Sequence, residues 1–266
     1  MDQLFWTFLN LFLSVSMRIN WILAACISFS VLMGSCLAES TTDALKNQAD
    51  SLREEGKSLE ALNLYNQALV SYQHANNYEG VLNTLAGRLI SWQHLYNHDQ
   101  EYVYAILARK EAEAMLAVAQ EYKIHNKDYL IHFLYGKSCI FLKDYPCAEK
   151  EYRMAVELYT QDNAEKGDLL AHLGEALYLN GQKQQGEKMI LDAIQQILSH
   201  QEGNDSFKIN VWTSGAYLRL AKVLFLDGKL EQAVSYFKKG EEIVLKDPRL
   251  VIRNQQLDII KKKFIQ

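Results

Sequence analysis

Apolar and polar residues alternate at helical spacing along most of this chain, and four stretches repeat one order of residue types. Leu52, Gly56, Ala61, Tyr65 and Ala68 set the order, and Cys139, Lys143, Ala148, Tyr152 and Ala155 repeat it. Leu177, Gly181, Gly186, Ile190 and Ala193 follow, then Leu224, Gly228, Ala233, Phe237 and Gly240. The steps are always four, five, four and three residues. The last three members of each set share one helical face. Gly56, Gly181 and Gly228 fall where a left-handed residue closes a preceding helix. Lys143 takes that place once, with Asp144 as N-cap and Pro146 early in the next helix. Ala49, Gly136, Gly174 and Ala221 add a small residue three places upstream. Each stretch therefore predicts two helices around a tight turn, a unit that cannot bury its apolar face alone.

The spacing also predicts a unit that it does not mark. Gly56 and Lys143 are 87 residues apart, whereas the later steps are 38 and 47. Two steps fit the gap, so a degenerate unit is expected there. Its first helix is predicted over 78–96, with Gly87, Ile90, Ser91 and Leu95 inward. Its second, over 100–122, carries Ala105, Ala108, Ala112 and Ala114, and Asn97-His98-Asp99 forms the turn. The units then span about 42–76, 78–123, 128–161, 166–200 and 207–246. Asp247 and Pro248 open a capping helix over 248–264. In it Leu250, Val251, Leu257, Ile259 and Ile260 face inward, while Arg249, Arg253 and Lys261, Lys262 and Lys263 face water. Ser199 to Ser206 is a polar loop containing Gly203 and a chance sequon at Asn204.

The pattern resembles the tetratricopeptide repeat family, whose unit is a helix–turn–helix of 34 residues. Leu134-Tyr135-Gly136, Leu173-Gly174 and Gly56-Lys57 through Glu60-Ala61 carry the likeness. The family's tryptophan near the unit start is missing, and its unit-end proline occurs only as Pro248. Units of 38–47 residues resemble the long-helix arrays of kinesin light chains and bacterial peptide-sensing regulators. The resemblance implies an all-α, right-handed solenoid of about five antiparallel repeats plus a C-terminal capping helix over 39–266. It also implies a concave groove lined by the first helix of each unit. Carried over, the groove is Leu130, Phe133, Lys137, Ile140 and Phe141 in the third unit. It continues as Asp168, Ala171, Glu175, Tyr178 and Leu179 in the fourth, and Leu218, Lys222, Phe225 and Leu226 in the fifth. Several of these read also as packing against the neighbouring unit, Ile140, Phe141 and Leu226 most of all. The family's carboxylate clamp needs Lys and Asn at set places, and only Lys137 and Lys222 are present.

Composition narrows the function. The chain has 266 residues with 28 Lys and Arg against 32 Asp and Glu, a formal charge of -4 that lacks the basic footprint of a nucleic-acid binder. Residues 1–38 are of another kind: from Leu4 to Ala38 the one charge is Arg18. Met17-Arg18 before the apolar run Trp21 to Met33 reads as a secretory signal, and Met17 is a candidate true start. Cys36-Leu37-Ala38 fits signal-peptidase cleavage before Glu39. Met33-Gly34-Ser35-Cys36 instead resembles a bacterial lipobox, which would place a lipid on Cys36. An uncleaved anchor is the third reading, because 19–38 has the ~20 residues that cross a bilayer. Cys139 and Cys147 flank a turn, so in an exported chain a disulfide is allowed. The plainer expectation is two small residues in alanine-like slots.

No phosphate loop, nucleophile elbow or HExxH occurs. His94 and His98 have a chelating spacing but lack a following base and sit at a helix end, which favours a solvated terminus over zinc. Glu111 and Glu113 point to different faces. No catalytic residue, metal or cofactor is expected. The expected function is a non-catalytic scaffold exported across a bacterial inner membrane, periplasmic or secreted, free or lipid-anchored. Its partner would be a protein or peptide segment held in the groove, with no nucleic acid, and membrane contact only through the leader or a lipid on Cys36. The alternatives are a peptide-sensing regulator and a self-associating assembly module.

Overall fold

A computed structural model describes residues 41–202 and 205–265. The leader, Cys36, Gly203 and Asn204 lie outside them. The described chain is all helical, in five antiparallel pairs. They are α1 (41–54) with α2 (Ser58–His74), α3 (Tyr78–Asp99) with α4 (Tyr102–Tyr122), and α5 (Asp128–Phe141) with α6 (Tyr145–Leu158). Next come α7 (Ala164–Leu179) with α8 (Lys183–Ser199) and α9 (Ser206–Leu226) with α10 (Leu230–Lys246). A last helix, α11, runs Val251–Ile265. Among the described residues no helix is long and apolar enough to cross a membrane.

The shared spacing has a direct physical meaning. Its second member is left-handed in all four units, with φ of 81° at Gly56, 59° at Lys143, 93° at Gly181 and 76° at Gly228. Its third and fourth members are buried where the two helices of a pair meet. Tyr152 lies flat on Gly136, so closely that a methyl group there would stand 2.7 Å from its ring. Tyr65 reaches into the next unit instead, the hydroxyl end of its ring set against Gly87. These contacts bring helix backbones nearer than larger side chains would permit. Successive cores then merge along the array: Tyr152 shares a cluster with Leu173 and Leu177, and Ile190 with Leu220 and Leu224.

The unmarked unit is present, with one boundary moved. Helix α3 runs through Asn97 and His98 to Asp99, and the turn falls at Gln100. Gln100 is left-handed (φ 59°), and its backbone and side-chain amides both donate to the Tyr96 carbonyl, closing the helix as a glycine would. Gln100 stands 44 residues after Gly56 and 43 before Lys143, so it occupies the turn position of the second unit. The third-unit cap is as expected, since Asp144 accepts from the Cys147 amide with Pro146 in the first turn.

The terminal helix departs from expectation in three ways. It starts at Val251 because Asp247 and Arg249 form a turn held by their ion pair, 2.7 Å. Val251 is exposed rather than inward. Arg253 faces inward rather than to water, because α11 is packed on two sides. Leu250 and Leu257 bury against Leu218, Phe237 and Val244, while the helix also reaches α3 and lays Gln255 over Gly56. The cap thus connects the last unit to the first two.

Replacing Gly136 by Ala is expected to lower unfolding stability by about 1–3 kcal/mol through overpacking against Tyr152, checked by urea denaturation.

Candidate concave site

The first helices of successive units touch, α3 with α5, α5 with α7 and α7 with α9, and so form one inner layer. On α7, Asp168, His172 and Glu175 are spaced i, i+4, i+7, which puts them on one face. On α9, Gly215, Arg219 and Lys222 have the same spacing in register. Lys137 of α5, Glu175 and Lys222 fall at one repeat position, so their charges alternate in sign from unit to unit. Lys222 donates to Glu175 at 2.7 Å and Arg219 Nε lies 3.3 Å from the same carboxylate. Burial works to raise the Glu175 pKa, but the two cations outweigh it and hold the carboxyl below its ordinary range.

His172 fills the centre. Its Nε2 contacts the Arg219 guanidinium, which can only donate, so the imidazole proton sits on Nδ1 and is given to the Tyr152 hydroxyl, 3.2 Å away. Phe133 stands edge-on to the same ring at 4.8 Å and lies 5.6 Å below the Lys137 ammonium. Burial, with repulsion from Arg219 and Lys137, drives the His172 pKa well below its ordinary value. His94 of α3 is also inward, pushed down to about 3 by burial and by Lys137, and its Nδ1 has no hydrogen-bond partner. This replaces the solvated helix end expected there. His98 is exposed and pairs with Asp99.

The proposed groove residues are distributed unevenly. Phe133, Lys137, Asp168, Glu175 and Lys222 converge on this network. Tyr178 and Leu218 are buried between units, and Leu130 and Phe225 are half-buried against neighbouring cores. His172 and Arg219 were not assigned to the groove from sequence, and Arg253 was expected to face water. The i, i+4, i+7 spacing on α7 and α9 is the signal that would have found the first two. Elsewhere, Glu111 pairs with Arg88 at 2.7 Å and Glu113 with Lys110, on separate faces as expected. Cys139 and Cys147 face each other across the α5–α6 turn, their Cα atoms 5.9 Å apart and their sulfurs bonded. Nearby Asp144 completes a potential three-ligand group, but the bond takes both thiols out of metal binding.

Removing the charge with Glu175→Gln is expected to cost about 3 kcal/mol by leaving Arg219 uncompensated in the interior, measured by urea unfolding. Stability is also expected to fall as pH drops below 6.5. The unfolded histidines bind protons there, whereas His94 and His172 stay neutral in the fold. Between pH 6.5 and 5, above the carboxylate range, His172→Gln should flatten that fall in the urea midpoint.

No protein-family model and no curated protein matches the sequence. Solved structures do match in fold. BtubC (BKLC) from P. vanneervenii superposes with a TM-score of 0.58 at 18% identity, over 77% of this chain and 80% of that one. A putative kinesin light chain with nearly identical TPR-like repeats, from Podosopora anserina, gives 0.54 at 12% identity, over 78% and 96%. The chain therefore shares the all-α helical-repeat fold of these structures, one of which carries TPR-like repeats.

Proposed function

We propose that the chain is a non-catalytic interaction scaffold, exported across a membrane, that holds a segment of another protein against its concave face. The observation that carries this reading is the inner row of Phe133, Lys137, Asp168, Glu175 and Lys222, supplied by three successive units. A repeat array presents such a row to a partner one unit at a time, with an aromatic for contact area and charges for register. Helix α11 packs on α3, α9 and α10, so α5 and α7 offer the stretch a partner segment would follow. Export is supported by the leader and by the Cys139–Cys147 bond, because disulfides persist in oxidising compartments.

Intact-mass analysis of the protein from its native host tests export. A chain starting at Glu39 or at a lipid-modified Cys36 is expected, and recovery of uncleaved 1–266 from cytosol would overturn the reading. The groove is tested by a Phe133→Ala, Lys137→Ala, Lys222→Ala triple variant with unchanged helicity. It should lose the partners that wild type and Val70→Ala, an exposed change on α2, both retain. Retention of those partners by the triple variant would count against this face.

A further inference from the structure

The described arginines divide by location. Arg53, Arg88, Arg109, Arg153, Arg219 and Arg249 each have a carboxylate within 4 Å, and most of these pairs lie near the surface. Arg253, inside the array, has none. Its Nη1 donates to the Gln256 side chain at 2.7 Å and its Nη2 to the Val211 carbonyl at 3.2 Å, both neutral acceptors. Its Nε has no hydrogen-bond partner, and neither does Nη1 of Arg219. The two guanidiniums lie side by side over Gly215. A methyl group on that glycine would be 2.8 Å from Arg219 Nη1 and 2.9 Å from Arg253 Nη2. Lys137 is the third cation, and its only close partner among the described residues is the face of Phe133.

This is an unusual way to spend buried charge. Unpaired interior cations are strongly destabilising unless an anion meets them. Four cations, Lys137, Arg219, Lys222 and Arg253, face two carboxylates, Asp168 and Glu175, and Glu175 is already taken by Arg219 and Lys222. Asp168 makes no ion pair with any of the three inner cations. Among the described residues its only charged-type neighbour within 4 Å is the neutral His172, at 3.8 Å. The excess is two positive charges. Although the side chains sit deep inside the array, Asp168 and Arg219 each keep 14% of their side-chain surface accessible, so the cluster is not fully sealed from solvent.

We propose that the cation cluster of Lys137, Arg219 and Arg253 binds a phosphate group, free or as a monoester, with α11 packed over it. Phosphate at neutral pH carries the compensating charge, and its oxygens suit the donors left open on two guanidiniums and one ammonium. The electrostatics agree. Burial and the Arg219 charge push Lys137 down to about 8 and Arg253 down to about 10, and a bound dianion would relieve both. Because Arg253 lies on α11 while Lys137 and Arg219 lie on α5 and α9, the ligand would hold the terminal helix in place. This inference is independent of which protein the scaffold binds.

The test is calorimetric titration and thermal unfolding of the purified chain with inorganic phosphate, against chloride at equal ionic strength. Phosphate should raise Tm above the chloride control. Arg253→Gln should weaken phosphate binding at least tenfold, whereas Arg249→Gln, on the neighbouring turn and already paired with Asp247, should leave it unchanged. Lys137→Gln provides the same test should Arg253→Gln fail to fold. Phosphoserine amide as a second probe separates the sources. If it binds like phosphate the site admits monoesters, and if only phosphate binds the site holds the free ion. The proposal is overturned if neither probe exceeds the chloride control, if acetate binds as well as phosphate, or if the folded Arg253 and Lys137 variants bind as wild type does.

Discussion

The fold depends on how closely helix backbones can approach where a glycine meets an aromatic ring. Where Tyr152 covers Gly136 and Tyr65 covers Gly87, the absence of a side chain lets an aromatic ring lie directly on a neighbouring helix. That contact fixes the separation within and between pairs, and the left-handed turn four residues after the first marker fixes their antiparallel path. With both set, the apolar clusters of adjacent units merge and no unit has to supply a whole core by itself. The inner layer, α3, α5, α7 and α9, follows from the same spacing, so the residues on its free face are brought together by packing that lies elsewhere.

What that face collects is mostly charge. Lys137, Glu175 and Lys222 alternate in sign at one repeat position, Glu175 pairs with Lys222 of the next unit, and Arg219 and His172 fill the positions between. Helix α11 turns this open surface into a partly enclosed one by spanning from α9 and α10 to α3 and the α1–α2 turn. Enclosure is what makes the histidines neutral and the cations uneasy. The same side chains on an open groove would be solvated and energetically quiet. The Cys139–Cys147 bond pins one of the two turns in the series that lack glycine, where Lys143 adopts a left-handed conformation.

Much of the architecture was legible in the sequence because it is periodic. The step lengths located all five units, including the one without a marker, and the turn at Gln100 was missed by only a few residues. There a side-chain amide capped the helix in place of a glycine, a local substitution that periodicity does not register. The terminal helix was less legible. Its apolar residues pointed to packing on one side, whereas the second contact, with α3 and Gly56, is set by the curvature of the entire array. No local pattern encodes that curvature, so Arg253 read as a solvent-facing residue. The site was legible in proportion to its regularity: Lys137, Glu175 and Lys222 recur at one position, six residues before the turn, and His94 shares it once the turn is placed at Gln100, while Arg253 reaches the site from a terminal helix outside the repeat.

The account stands or falls on α11 lying across the concave face, since enclosure, the buried histidines and the unpaired Arg253 all follow from it. The most direct measurement places a photo-cross-linking residue at Gln255 and maps its adducts by mass spectrometry. The structure requires intramolecular adducts at the α1–α2 turn around Gly56 and on α3. Adducts confined to α9 and α10, or none within the same chain, would show a helix that merely caps the last unit and would contradict the account.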